Sequence, residues 1–145
     1  MKIILAALAV GATFAGAAFA HEDVKNPAVK SRMELMGQVK DATGTLGGMA
    51  KGEMAFDEAK ATSARAALIE HAAAIPAAFE ANETDPKSTA KADIWLNWDD
   101  FVTKAAAMGS AAEALDTSAQ EWLGAGMSGL GGSCAGCHKI YRVKK

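Results

Sequence analysis

Apolar residues recur three and four positions apart along most of the chain beyond residue 21, and this spacing predicts amphipathic α-helices. No segment alternates apolar and polar residues with the period of two that is typical of a half-buried strand. Breaks rich in polar residues or glycine fall near 51–56, 81–90 and 116–118. The sequence therefore predicts an all-α fold with four helices.

The first predicted helix begins at about Pro27, which suits a first helical turn, and ends near Ala50. Two residues on its apolar stripe need an explanation, the charged Arg32 and the thioether Met36. The whole stripe consists of Val29, Arg32, Met36, Val39, Thr43, Leu46 and Ala50. Because a charge buried on such a stripe is costly when alone, Arg32 is expected to have an anionic partner.

The second and third predicted helices have regular apolar stripes. The second helix begins near Asp57, whose negative charge favours a helix N-terminus, and we expect Pro76 to kink or loosen its last turns. Its stripe consists of Leu68, Ala72, Ile75 and Phe79. The third stripe has the most regular spacing in the chain and predicts one continuous helix along Ile94, Trp98, Phe101, Ala105, Met108, Ala112 and Leu115.

The fourth helix is predicted to open with the capping box Ser118-Ala119-Gln120-Glu121. Six glycines interrupt it, each costing roughly 1 kcal/mol relative to alanine, and we interpret them as sites of close approach by a neighbouring helix or a bound group. Its stripe consists of Leu123, Met127, Leu130, Cys134, Cys137 and Tyr141. Because both cysteines lie on this stripe, the group that they bind is expected inside the bundle.

Composition and charge narrow the class of protein further. Residues 1–20 contain Lys2, an apolar run and the small-residue ending Ala18-Phe19-Ala20, which predicts a cleaved secretory signal peptide. Residues 21–145 then form one domain, with no membrane insertion after cleavage. Loss of Lys2 takes the formal net charge from −2 to −3, so nothing suggests binding to nucleic acid.

The chemistry of the chain is concentrated in Cys134-Ala135-Gly136-Cys137-His138. This spacing is typical of covalent haem c attachment, in which each thiol adds across a vinyl group and the histidine ligates iron. On a helix these three side chains share one face. A zinc half-site and a redox dithiol are the alternatives. A closed zinc site needs four ligands, and only His21 and His71 remain. A dithiol normally accompanies a βαβ pattern, which is not visible here.

The chain resembles the class II c-type cytochromes, the cytochrome c′ family, across essentially all of residues 21–145. The resemblance rests on the C-terminal position of the haem motif and its continuation to Arg142, on Asp93-Ile94-Trp95, and on Arg32 followed four residues later by Met36. It implies an antiparallel up-down-up-down four-helix bundle with one covalently bound haem c, located in the periplasm and often a homodimer.

The family divides at the position that matches Met36. High-spin members keep an apolar residue there and leave the iron open to small gases, whereas low-spin members use methionine as the sixth ligand and transfer electrons. The resemblance therefore implies His138 and Met36 as iron ligands in an electron carrier that acts with redox partner proteins. Binding of nitric oxide or carbon monoxide at an open distal site is the alternative. No acid–base group is seen to face the haem, so no enzyme activity is expected.

The predicted haem-binding residues are Cys134, Cys137, His138, Met36, Arg32 and Arg142, with Arg32 paired to a haem propionate. Met36 and His138 are expected at depths of roughly 13 and 8 Å in an up-down bundle, which favours one haem between them. Met33 is the nearest rival, and Met108 is expected to lie too deep along the third helix. A basic patch that steers an acidic partner is predicted from Lys25, Lys30, Lys139, Arg142, Lys144 and Lys145.

Overall fold

The computed structural model describes residues 23–144, so the predicted signal peptide at 1–20 and His21 lie outside the described residues. This range contains five helices: α1 (Pro27–Ala50), α2 (Glu58–Phe79), α3 (Asp93–Leu96), α4 (Trp98–Glu113) and α5 (Gln120–Tyr141). The long helices α1, α2, α4 and α5 each pack against the next, and α5 also packs against α1. The predicted all-α antiparallel four-helix bundle is confirmed.

The predicted third helix is interrupted at Asn97, which separates α3 from α4. The backbone N–H of Asn97 donates to the carbonyl of Asp93 over 3.0 Å, and its side-chain amide donates to the same carbonyl over 3.1 Å. An asparagine side chain that bonds to nearby backbone competes with helix continuation. The expectation of one continuous helix was therefore wrong, although its apolar residues keep their common face.

Side-chain caps begin the first two helices. The side chain of Asn26 accepts from the Val29 N–H ahead of α1, and that of Asp57 accepts from the Lys60 N–H ahead of α2, each over 3.0 Å. The predicted capping box at α5 was wrong. Ala119 is the N-cap there, and the hydroxyl of Ser118 donates instead to Asp116 over 2.6 Å.

The four predicted apolar stripes meet in the core, and most of their members are buried. One position differs on α1, where Met49 is fully buried and the neighbouring Ala50 is only half-buried. The fully buried large side chains are Val29, Leu46, Met49, Leu68, Ile94, Leu123 and Leu130. None of the helices within residues 23–144 combines the length and apolar character needed to cross a membrane.

Only part of the prediction for the glycines of α5 is confirmed. A Cβ atom at Gly126 would stand 2.6 Å from Leu115 Cδ2, so the missing side chain does allow close packing there. A Cβ at Gly129, Gly131 or Gly132 would meet no atom of the described residues within 4 Å. These three glycines therefore do not bring a neighbouring helix closer.

Candidate functional site

A cavity of about 210 Å³ lies among α1, α4 and α5, at the end of the bundle where α1 and α4 begin and α2 and α5 end. We call this the cavity end, and the opposite end of the bundle the far end. Most of the lining is apolar, from side chains such as Val29, Val39, Phe101 and Ala105. All six predicted haem-binding residues line this cavity: Cys134, Cys137, His138, Met36, Arg32 and Arg142.

The last three turns of α5 supply the covalent chemistry. Cys134 and Cys137 are free thiols, both half-buried, and their spacing places them on one face of the helix. Burial raises the pKa of the Cys137 thiol, with the carboxylate of Asp100 adding to the effect and Lys104 opposing it. Both thiols are reduced and line the same cavity, as the formation of two thioether bonds to the vinyl groups of one haem requires.

His138 follows directly and lies at the edge of the cavity. Partial burial lowers the pKa of its imidazole below the usual value, and the nearby Arg142 guanidinium lowers it further. The ring is therefore neutral near pH 7, which is the form that binds iron. Two thiols, a neutral imidazole and an apolar wall fit a covalently held haem c.

Three methionines line the cavity instead of one. Met36 and Met33 are half-buried on α1, and Met108 is buried on α4 with 6% of its surface exposed. The expectation that Met108 lies too deep was wrong, since α4 begins only at Trp98 and Met108 lies ten residues along it, or roughly 15 Å. The structure thus brings Met36 together with His138 but does not make it the only thioether there.

Arg32 is buried, with 3% of its surface exposed, and its partners are backbone carbonyls at the end of α2 and in the loop that follows it. Nε donates to Ala78 over 2.9 Å, Nη1 donates to Glu83 over 2.8 Å, and Nη2 donates to Ala81. The Arg32 side chain does not point outward into solvent, and it forms no ion pair with a carboxylate among residues 23–144. Burial lowers the pKa of the guanidinium, and the nearby Glu83 opposes the shift.

Two aromatic rings hold the Arg32 guanidinium beside the cavity. Its Cζ lies 5.0 Å from the centroid of Phe79 and 5.3 Å from that of Trp95, within the range of cation–π attraction. The Trp95 indole N–H also donates to the Phe79 carbonyl over 2.8 Å. These contacts leave Arg32 on the cavity wall, and its pairing with a propionate stays a prediction.

The 81–90 loop closes the cavity end. The Val143 N–H donates to the Thr89 carbonyl over 2.8 Å and the Lys91 N–H donates to the Tyr141 carbonyl over 2.9 Å, so the loop pairs with the segment that follows His138. At its other side, the buried Asp85 carboxylate accepts from the backbone N–H groups of Lys25, Asn26 and Lys87 at 3.0, 3.1 and 2.8 Å.

Sequence reasoning missed a polar group on the α4 side of the cavity. The Tyr141 hydroxyl donates to Asp100 over 2.5 Å, and Asp100 forms an ion pair with Lys104 over 3.6 Å. Both Tyr141 and Lys104 line the cavity. The i,i+4 spacing of Asp100 and Lys104 was a signal for the ion pair, but nothing in the sequence links it to Tyr141.

The zinc alternative gains no further ligands from the fold. Within residues 23–144 no three His, Cys, Asp or Glu side chains are arranged to hold a metal ion. His71 lies half-buried on α2 and does not line the cavity.

Comparison with known proteins extends these observations. Residues 27–142 match the family described as Cytochrome C′. Cytochrome c-556 of Agrobacterium fabrum is 34% identical over 148 residues, covering 100% of this chain and 97% of the relative. The solved structure of cytochrome c′ from Rhodopseudomonas palustris superposes with a TM-score of 0.75 at 29% identity, covering 83% of this chain and 99% of that one. A nitric oxide complex of a cytochrome c′ variant from Alcaligenes xylosoxidans superposes with a TM-score of 0.71 at 27% identity, covering 81% of this chain and 94% of that one.

Proposed function

We propose that this chain, which belongs to the cytochrome c′ family and binds one haem c, is a periplasmic electron carrier with His138 and Met36 as iron ligands. Haem c supplies the Fe(III)/Fe(II) couple. The observation that carries the proposal is the placement of the Met36 side chain, from α1, on the same cavity as His138. A histidine and a methionine together form the ligand set of many electron-transfer cytochromes.

The residues around this site have separate roles in an electron carrier. Cys134 and Cys137 anchor the cofactor covalently, so it is retained in either oxidation state. The neutral imidazole of His138 provides the proximal ligand, and the low pKa caused by burial and by Arg142 keeps protons from competing for it. The apolar wall disfavours the more highly charged oxidised iron, which raises the reduction potential.

The test is the visible spectrum of the holoprotein and of Met36→Ala. The wild type should show the sharp reduced bands of six-coordinate low-spin iron and bind carbon monoxide poorly. Met36→Ala should become high-spin and bind carbon monoxide readily. Met33→Ala is the matched control, since it removes a thioether one turn away and should leave the spectrum unchanged. A five-coordinate wild type, or a low-spin Met36→Ala, would falsify the assignment.

Gas binding is the second candidate function. It is favoured by the similarity to the Alcaligenes xylosoxidans variant whose structure was solved with nitric oxide. In this case Met36 would be only part of the apolar wall, and the distal position would accept nitric oxide or carbon monoxide directly. The same spectrum decides between the two functions, because an open iron site gives broad high-spin bands before any gas is added.

The expected partner is a redox protein with an acidic surface. Lys139, Arg142 and Lys144 follow the haem motif, are exposed, and have no carboxylate within ion-pair distance in residues 23–144. Ile140 and Val143 lie between them and expose 42% and 48% of their surfaces. Exposed apolar and cationic side chains that follow one another directly after the haem motif suit transient docking to an acidic surface.

Location and assembly complete the proposal. The periplasm follows from the predicted signal peptide at 1–20, and we expect the mature chain to form a homodimer as family members often do. We propose no catalytic activity.

A further inference from the structure

We propose that Asp100 and Lys104 form a charge pair, held in place by Tyr141, that tunes the reduction potential of the haem from the α4 side of the cavity. This rests on the bound haem c and deepens the proposed electron-carrier function by naming residues that set its driving force. Tyr141 acts as a positioning residue in this arrangement, since it operates through Asp100.

The first observation is the anchoring of Tyr141. Tyr141 is 3% exposed, and its ring packs edge-on against Phe101 with centroids 5.4 Å apart. Its hydroxyl lies 2.5 Å from Asp100 Oδ2 and 3.4 Å from the Asn97 carbonyl. Burial and the bond to Asp100 raise the pKa of Tyr141 to about 12. The hydroxyl therefore keeps its proton across the physiological range and always acts as the donor.

The second observation is the orientation of the ion pair. Asp100 and Lys104 are one turn apart on α4, with Oδ1 and Nζ 3.6 Å apart. The Asp100 side chain is 52% exposed, whereas the Lys104 side chain is 27% exposed and lines the cavity. Because Tyr141 holds the other carboxylate oxygen, the carboxylate cannot turn freely into solvent and the ammonium stays at the cavity wall.

Opposite electrostatic effects follow from this geometry. Oxidised iron carries one more positive charge than reduced iron, so a cation at the wall favours the reduced state and an anion favours the oxidised state. Lys104 should therefore raise the reduction potential and Asp100 should lower it. A role limited to holding α4 against α5 predicts changes in stability without this pattern of signs.

The experiment is a redox titration of the holoprotein and its variants at low ionic strength, where screening is weakest. Asp100→Asn should raise the potential and Lys104→Gln should lower it, each changing the ratio of reduced to oxidised protein at a fixed solution potential by at least about twofold. Asp99→Asn is the matched control for the acid, since it removes the same charge from the same exposed first turn of α4. Lys60→Gln at the far end is the control for the base.

Tyr141→Phe keeps the aromatic ring and removes only the hydroxyl. In this background Lys104→Gln should shift the potential by less than it does in the wild type, because the pair is no longer held at the wall. If that shift is unchanged, Tyr141 has no positioning role. If Asp100→Asn shifts the potential no more than Asp99→Asn, or in the same direction as Lys104→Gln, the charge pair does not tune the haem.

These outcomes are independent of the ligand set. The sign and size of each shift are measured whether the iron is low-spin or high-spin, and the wild-type spectrum tests Met36 separately. Should Tyr141→Phe fail to fold, Asp100→Asn and Lys104→Gln with their controls still decide whether the pair acts on the haem.

Discussion

At both ends of the bundle an arginine side chain bonds to the free carbonyls at the end of a helix, but the two arginines differ in how tightly they are packed. At each end an arginine from the preceding long helix, α1 or α2, caps a helix that has no basic residue in its own last turn. Arg65 donates to the carbonyls of Ala112 and Glu113 at the end of α4, over 3.1 and 2.7 Å, and remains half-buried. Arg32 does the same for α2 but is buried between two aromatic rings.

The surroundings of the two arginines differ because the ends have different cores. Large apolar side chains such as Leu46 and Leu123 are fully buried towards the far end. The cavity end also buries Val29 and Ile94, but these side chains border a cavity together with the half-buried cysteines of α5 and the half-buried methionines of α1. The far end is thus packed by the chain alone, whereas the cavity end depends on its cofactor to complete the core.

The largest expected effect on stability belongs to the far end. Leu123→Ala removes a fully buried side chain and should lower the free energy of unfolding by about 2–5 kcal/mol. Chemical denaturation of the holoprotein measures this loss, and the visible spectrum should not change. A changed spin state in Leu123→Ala would show that the two ends are not independent.

The two arginines give the next largest effect. Arg32→Gln should cost about 2–4 kcal/mol, since several carbonyls lose a buried donor, and should also shift the reduction potential. Arg65→Gln should cost about 1 kcal/mol and leave the potential unchanged. Denaturation curves and redox titrations of both variants test the contrast. An unchanged potential and an unchanged pH dependence in Arg32→Gln would count against its pairing with a propionate.

Two carboxylates extend the comparison to acid stability. Hydrogen bonds from the backbone N–H groups of Lys87 and Asn26 lower the pKa of Asp85, and bonds from the hydroxyl and the N–H of Ser118 lower the pKa of Asp116. A lowered folded-state pKa contributes stability that is complete above the unfolded value of about 3.9 and is lost as the pH falls through the folded value.

Asp85 should matter more than Asp116 in that acidic range. The Asp85 carboxylate bonds to the backbone of Lys25 and Asn26, which lie 60 and 59 positions earlier in the chain. Asp116 bonds to Ser118, only two positions away. Unfolding midpoints measured from pH 7 down to about pH 2.5 should show that Asp85→Asn lowers stability at neutral pH by more than Asp116→Asn does. On acidification, Asp85→Asn should then lose less further stability than the wild type. If Asp116→Asn changes stability as much as Asp85→Asn at each pH, Asp85 is not the more important carboxylate.

The smallest expected effect concerns the exposed cations of the cavity end. Replacing Lys139 and Lys144 with glutamate should slow oxidation by hexacyanoferrate(III), an anion, by about twofold to fivefold at low ionic strength. The matched control replaces Lys51 and Lys60 at the far end, where the same change of charge should have little effect. Oxidation rates that do not respond to ionic strength would contradict the proposed basic docking surface.

The sequence by itself determined the helices, their buried faces and the haem attachment, because each of these depends on local spacing. A repeat of three and four residues defines which side chains share a face, so most buried positions on α2 and α4 were predicted correctly, although the buried Ala61 was missed and Trp98 is only half-buried. The order of Cys134, Cys137 and His138 is likewise required by the chemistry of attachment, and it identified the cofactor without knowledge of the fold.

Only the tertiary structure decided which side chains meet across helices. Arg32 bonds to one carbonyl of α2 and two of the loop after it, Tyr141 reaches Asp100, and Met108 joins the cavity because α4 starts later than expected. The sequence did not reveal these contacts, since a helical pattern fixes the direction of a side chain around its own axis and not the residue that it meets. The relative depth and rotation of packed helices set those partners, and they follow from the whole core together.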